Sequence, residues 1–365
     1  MNRLFALLGL AVWLTGCASG DSWQALHLRK LHSELDQIAQ SGKSQAPSGY
    51  VLKVHAQGTL VYSQQEGLAS AELSEPLHET TVFELASLSK IFTAVAVMQL
   101  QEQGLLQLDH DLGQYLKGLP LAWQGLSVHH LLSHQSGLPD LLNRWPRRRL
   151  DKMAFEDLKA YFSKEPKLQF QPGTQGAYSN TNYIFLAELV AQVSGKDFGD
   201  YLQTHVFEPA GMTDSSVSPS EPPKTASQAL SYADNPKIQG IDYALIGAIN
   251  QKSSLKDLDH FLEALLQNKL VRAETLDLMM KPHALFEDGK RYGYGWYIGQ
   301  LGGWSAISPS LPAAGVGHTG RLGAFRTALY FNRERHFRLI MLSNGGPRTE
   351  KLLTDFLQKT RDWLE

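Results

Sequence analysis

Cysteine is almost missing from this chain: Cys17 is the only one in 365 residues. No disulfide can close within it, so packing alone has to hold the fold. A surplus of charge of one sign is also missing, because 34 Lys and Arg oppose 36 Asp and Glu for a formal net charge of -2. That balance gives no electrostatic case for nucleic-acid binding, and no block of like charge marks an interaction tail. The apolar stretch nearest the N-terminus, Leu4 to Leu14, is shorter than the roughly 20 residues that a permanent bilayer span requires. Gly-x-Ser-x-Gly does not occur, which weighs against the nucleophile elbow of an α/β-hydrolase. No internal repeat is visible.

What is present starts with "MNRLFALLGLAVWLTGCASG", in which Arg3 precedes the apolar stretch and small residues lead to Cys17. This order reads as an export signal. Its end, "LTGC", resembles the lipobox of bacterial lipoproteins, which implies cleavage after residue 16 and lipidation of Cys17. Membrane attachment through that cysteine would leave the rest of the chain facing the periplasm of the cell envelope. Ala18 and Ser19, with no Asp beside the cysteine, favour the outer membrane of a Gram-negative host.

Beyond the tether, Leu28, Leu31, Leu35 and Ile38 recur at helical spacing before Gly42. "GYVLKVHAQGTLVYSQQEG" reads as a hairpin turning at Gly58. Ile91 to Leu100 is apolar on nearly every side, predicting a buried central helix capped near Gly104. Helical patterns follow to about residue 220 in "SVHHLLSH", "FEDLKAYFS", "NYIFLAELVAQVSG" and "DFGDYLQTHVF". "SPSEPPKTASQ" is a loop by composition, and Ser254 with Asp257 signals the capped start of another helix. "RYGYGWYIG", "AFRTALYFN" and "HFRLIMLSN" read as strands, and "TEKLLTDFLQKTRDWL" as a closing amphipathic helix. The expected fold class is α+β, with an antiparallel sheet flanked by N- and C-terminal helices and a helical domain inserted into it. The expected boundaries are a signal peptide at 1–16, a tether and helix at 17–47, a sheet domain from 48–85 plus 221–365, and a helical domain at 86–220. Chemistry is expected in the cleft between the last two.

In "FELASLSKIFTA" Ser87 stands one helical turn ahead of Lys90. Such spacing sets both side chains on one face, since three residues rotate about 300° and rise about 4.5 Å. A serine hydroxyl needs a base to become a nucleophile, and lysine can be that base only where burial or neighbouring cations keep it neutral. The helix start adds unpaired N–H groups that suit an oxyanion. Alone the pair says little, because roughly one serine in fifteen to twenty has such a lysine by composition. Two further motifs follow in order: Tyr178-Ser179-Asn180 in "AYSNTN" and His318-Thr319-Gly320 in "GVGHTGRLGAF".

With these three motifs the sequence resembles the serine β-lactamase and penicillin-recognising hydrolase superfamily, in its class C-like branch of β-lactamases, D-alanyl-D-alanine carboxypeptidases and esterases. "LLSHQSGLPD" and "FEPAGMTDSSV" look like further segments of that branch, and the likeness spans about residues 48 to 345. It implies a β-lactamase/transpeptidase-like fold in which Ser87 is acylated and Lys90 lies against it. Tyr178 would be the base or proton shuttle, Asn180 would orient the substrate amide, and His318, Thr319 and Gly320 would line the cleft. The oxyanion would be held by the backbone N–H groups of Ser87 and Arg321. Whether Lys90 or Tyr178 takes the serine proton stays open, and the two can titrate as a pair. No cofactor is implied. The substrates implied are peptides with D-amino acids, such as peptidoglycan stem peptides, or small esters; weak β-lactamase activity and silent binding of cell-wall peptides are the alternatives.

Departures from the pattern refine this. His318 stands where β-lactamases usually have lysine, and a largely neutral histidine lacks the charge for a substrate carboxylate. That disfavours efficient β-lactam hydrolysis, unless Arg321 or Arg326 supplies the charge. Gln135 replaces a usual Thr, and "GAINQKSSLKDL" departs from a usual Ser-Thr entry to its helix. His129, His130 and His134 have helical spacing but no supporting Cys or carboxylate pattern, so a structural role is expected and no metal. Asp109, His110 and Asp111 read as a turn, and Arg147, Arg148 and Arg149 in "WPRRRLDK" as a solvated face.

Overall fold

Alternation along the strands divides the apolar side chains between two cores. In β1 (Tyr50–Ala56), Leu52 and Val54 enter one core and Val51 the other. The computed structural model describes residues 23–41, 48–144, 154–217, 227–232, 245–302 and 315–364. The expected signal segment with Cys17, the Arg147–Arg149 stretch and most of "SPSEPPKTASQ" lie outside these residues.

β1 and β2 (Thr59–Glu66) form the expected hairpin across Gly58, whose φ of 76° suits glycine. The remaining strands of this sheet come from the last third of the chain: β3 (Ala284–Leu285), β4 (Arg291–Tyr292), β5 (Tyr297–Ile298), β6 (Gly315–Leu322), β7 (Phe325–Asn332) and β8 (Phe337–Ser343). The eight strands are ordered β2-β1-β8-β7-β6-β5-β4-β3, all neighbours antiparallel. The N-terminal hairpin therefore completes a sheet begun at the other end of the chain.

Two terminal helices cover one face. Leu31, Leu35 and Ile38 of α1 (Trp23–Ser41) meet Leu353, Phe356 and Leu357 of α7 (Pro347–Leu364) over Leu52, Val54, Leu339 and Met341. Each such side chain contributes about 1.5–3 kcal/mol when fully buried. The opposite face, with Ile340 and Leu342, packs in the larger core with α2 (Ser89–Glu102), α5 (Asn180–Ser194) and α6 (Leu255–Leu266). Between α2 and α5 lie α3 (Val128–Leu132) and α4 (Phe155–Lys164). α2 is buried from Ser89 through Leu100 and ends before Gly104, whose φ is 73°. Ser254 caps α6 as its sequence indicated, its Oγ accepting from Asp257 N at 3.2 Å. A small sheet ties the lead-in to α2 together: Phe83–Glu84 pairs with Gln251–Ser253, which also pairs with Ser216–Val217. The mixed helix and antiparallel-sheet class is the one the sequence led us to expect.

One strand reading needs correction. "RYGYGWYIG" is not continuous: β4 and β5 are separate antiparallel strands joined by a turn. Gly295 in that turn has φ 82°, and a Cβ there would lie 2.9 Å from Ala94 Cβ and 3.3 Å from the Lys90 carbonyl. The turn is glycine-rich because it presses on α2 beside Lys90.

Candidate active site

Ser87 sits on a single 3-10 turn, Ala86–Leu88, that runs directly into α2. Ala86 before it has φ 51°, a left-handed conformation that costs a residue with a Cβ and that surrounding contacts must enforce. β6 and β7 supply those contacts. Thr327 Oγ1 donates to the Leu85 carbonyl at 2.8 Å. A Cβ on Gly320 would come within 2.2 Å of the same carbonyl and 3.1 Å of Ala86 Cβ, so only glycine lets β6 lie against the serine turn.

One turn on, Lys90 is fully buried and its ammonium has three oxygen acceptors: Ser87 Oγ at 3.3 Å, Asn180 Oδ1 at 2.7 Å and the Ala248 carbonyl at 2.9 Å. Burial pushes its pKa down to about 7, although the Asp140 carboxylate pulls the other way. Asp140 accepts from Asn180 Nδ2 at 3.0 Å, and burial raises its own pKa against the pull of the Leu142 N–H, Lys90 and Asn180. Both shifts are those of burial, so Asn180 bridges two charges that desolvation weakens. Asp140 was not singled out in the sequence; the available signal was "LLSHQSGLPD", which ends on it.

Tyr178 precedes α5, and its ring centroid is 5.0 Å from Lys90 Nζ. Its hydroxyl is buried without closing a hydrogen bond. Burial, then the Tyr297 phenol, hold its pKa well above 10, while the nearby Ser87 hydroxyl draws it back. The His134 ring covers Tyr178 at a centroid distance of 4.4 Å, and Tyr297 lies parallel to it at 6.4 Å.

On β6, His318 is buried and neutral. Its Nδ1 donates to the Thr319 carbonyl at 2.7 Å, so Nε2 is the acceptor for the Tyr292 hydroxyl at 3.2 Å. Burial, with Lys90 nearby, pushes its pKa down to about 3. Thr319 Oγ1 donates to the Gly302 carbonyl at 2.7 Å. Of the two arginines considered, Arg326 is buried against Glu350 and the carbonyls of Gly323 and Phe325, away from the cleft. Arg321 is exposed and lines the cavity.

That cavity, about 290 Å³, brings Ser87, Tyr178, His318, Thr319 and Arg321 together with Phe286 and Tyr297, and has Asp288 and Lys290 paired beside them. Lys90 and Asn180 stand behind this lining, both side chains committed to protein partners. A more open groove of about 750 Å³ lies along Pro166–Pro172 but is lined by no nucleophile and base. Chemistry, not volume, selects the site. Two of the histidines set aside as structural have structural contacts: His130 completes a capping box with Ser127, and His129 Nδ1 meets Tyr294 Oη at 2.7 Å. His134, set aside with them, instead packs on Tyr178.

Among known proteins, the Beta-lactamase family matches residues 35–360. The chain belongs to that family. It is 28% identical to Penicillin-binding protein 4* of Bacillus subtilis (strain 168), over 89% of this chain and 72% of the relative. It is 26% identical to Esterase EstB of Burkholderia gladioli, over 89% of this chain and 95% of the relative. A solved class C beta lactamase superposes with a TM-score of 0.75 at 21% identity, covering 91% of this chain and 98% of that one, which shows the fold. This β-lactamase-family chain is thus part of a serine hydrolase superfamily whose members carry penicillin-binding, esterase and lactamase names.

Proposed function

We propose that the protein forms an acyl-enzyme on Ser87 and hydrolyses peptides containing D-amino acids, in the manner of a carboxypeptidase, or esters. The observation that carries this reading is Lys90: a buried amine with a pKa of about 7, 3.3 Å from the serine oxygen. About half of it is unprotonated at neutral pH, which suits a general base. In this reading Ser87 Oγ attacks the acyl carbon as its proton passes to Lys90 Nζ. The oxyanion is held by the N–H groups of Ser87 and Arg321. Tyr178, whose pKa is well above 10, stays protonated and relays a proton to the departing amine or alkoxide. Water then attacks the ester carbonyl on Ser87, giving a proton to Lys90, and as the C–Oγ bond breaks that proton returns to Ser87 Oγ and the acid is released.

A neutral, buried His318 offers no charge to a substrate carboxylate, which leaves Arg321 as the cleft cation suited to a peptide C-terminus. Asn180 can reach a substrate amide only by loosening its bonds to Lys90 or Asp140. We also propose an envelope location through lipidated Cys17; a Cys17→Ala chain that still incorporated labelled palmitate would refute it.

To test the reaction, protein lacking residues 1–17 is incubated with a fluorescent fluorophosphonate and a fluorescent penicillin, beside Ser87→Ala, and adducts are read by intact mass. A Ser87-dependent adduct and turnover of an ester or a D-Ala-D-Ala peptide are expected. Absence of both would overturn the proposal, and labelling by fluorophosphonate alone would assign the esterase branch.

A further inference from the structure

His134 has the contacts of a part of the active site, although it lines no cavity described above. It has no exposed surface and a φ of 59°, left-handed for a residue with a Cβ. Its carbonyl accepts from Ala177 N at 2.9 Å, and its Nδ1 accepts from Ser179 N at 3.2 Å. The two residues flanking Tyr178 are therefore both bonded to one histidine, whose ring also lies against the Tyr178 ring at 4.4 Å. Asn182 Nδ2 meets the same Nδ1 at 2.9 Å, and Asn182 Oδ1 is occupied by Ser136 Oγ at 2.5 Å, which orients the amide with its N–H toward the histidine. Two N–H donors converging on Nδ1 require that nitrogen to be unprotonated, so the proton of the neutral ring is on Nε2. Nε2 is buried without a partner.

We propose that His134 is the positioning residue for Tyr178, clamping residues 177–179 through its carbonyl and Nδ1 as a neutral, Nε2-protonated imidazole. The groups that face it favour that state. Lys90 on α2 and His318 on β6 are the basic neighbours, and an imidazolium at His134 would add a second cation beside Lys90. Tyr178, Tyr183, Tyr292 and Phe286 surround the ring and supply no anion. Lys90 is then left as the titrating cation against Ser87, and the Tyr178 hydroxyl is held beside it by a rigid acceptor rather than by a hydrogen bond of its own.

The proposal rests on the acyl-enzyme reading for its kinetic arm but not for its spectroscopic one. His134→Phe keeps a ring and removes the acceptor, whereas His134→Asn offers an amide oxygen near Nδ1 and tolerates the left-handed backbone. With ester turnover as the assay, His134→Phe is expected to lose on the order of 10²-fold in kcat with KM within about twofold, as for a misplaced catalytic group. His134→Asn should recover most of that loss. The wild-type pH–rate limb near 7 should persist in both variants, because Lys90 is unchanged. Independently, ¹⁵N-histidine spectra of wild type, assigned by comparison with His134→Asn, should show a pyridine-like Nδ1 and a pyrrole-like Nε2 at neutral pH. A protonated Nδ1, or undiminished turnover in folded His134→Phe, would overturn the proposal. If His134→Phe does not fold, His134→Asn decides: turnover slowed by about 10²-fold or more in the folded Asn variant, as large as a misplaced catalytic group produces, also counts against it. A wild type without turnover but with the expected spectrum would overturn the acyl-enzyme reading and leave the clamp standing.

Discussion

Replacing Lys90 with Met tests the central electrostatic argument without relying on any substrate. Folded Lys90 releases its proton near pH 7, while in the unfolded chain it holds the proton to its ordinary value of 10.5. Between those values the unfolded state binds more protons, so stability must rise with pH. Across the full window the gain approaches about 5 kcal/mol, from about 1.4 kcal/mol for each pH unit. Between about pH 7.5 and 9.5 it is about 2.5 kcal/mol, because the folded group is already partly neutral at the lower limit. Met has a similar volume and no charge, but it strands Asn180 Oδ1 and the Ala248 carbonyl. Those losses, about 1–3 kcal/mol each, do not depend on pH in this range. The measurement is urea unfolding of wild type and Lys90→Met at several pH values, taking the difference so that shared titrations cancel. The difference in unfolding free energy should climb with pH in favour of wild type by about 2.5 kcal/mol over that interval. A flat difference would refute the depressed pKa and with it the case for Lys90 as the base. In the kinetic arm, acylation of wild type should rise through a midpoint near 7, and Lys90→Met should lower kcat/KM by about 10²–10⁴-fold.

Other substitutions separate support of the site from support of the fold. Gly320→Ala drives a methyl group to within 2.2 Å of the Leu85 carbonyl, so a stability loss of about 1–3 kcal/mol should accompany slower Ser87 labelling; unchanged labelling would show that β6 can yield. Phe356→Ala opens the core between the terminal helices and the sheet, remote from Ser87, and should cost about 3–5 kcal/mol in urea unfolding. Arg326→Met leaves the Glu350 carboxylate without its buried partner and should cost about 3 kcal/mol, whereas an unaltered midpoint would show that water replaces the guanidinium. Arg321→Ala should fold normally and raise KM for D-Ala-D-Ala peptides more than for neutral esters; an equal effect on both would remove Arg321 from carboxylate recognition.

Much of this protein is legible in one dimension because its information is periodic. Leucines at helical spacing mark α1, runs rich in β-branched, aromatic and other apolar residues mark β1, β7 and β8, and Ser254 with Asp257 marks the start of α6, all local signals. The Ser87–Lys90 spacing likewise announces two groups on one face, whereas the glycines of "RYGYGW" interrupt a backbone that its aromatic and β-branched content presents as one strand. What periodicity cannot encode is what a side chain will face. Nothing in the spacing distinguishes His134 from His129 and His130, yet a left-handed backbone and the loop before α5 turn one of the three onto Tyr178. Arg321 and Arg326 are equal candidates in the sequence and stand opposite one another across β6 and β7, yet Arg321 lines the cleft while Arg326 is buried against Glu350. The lysine itself is the sharpest case. Its identity and distance from Ser87 are written in the sequence, but its proton affinity comes from desolvation by α2, α5 and the loop carrying Ala248, segments far apart in the chain. Sequence determined which groups are available and the tertiary structure decided which of them are charged, because burial acts through all neighbours at once and spacing reports only those on the same element.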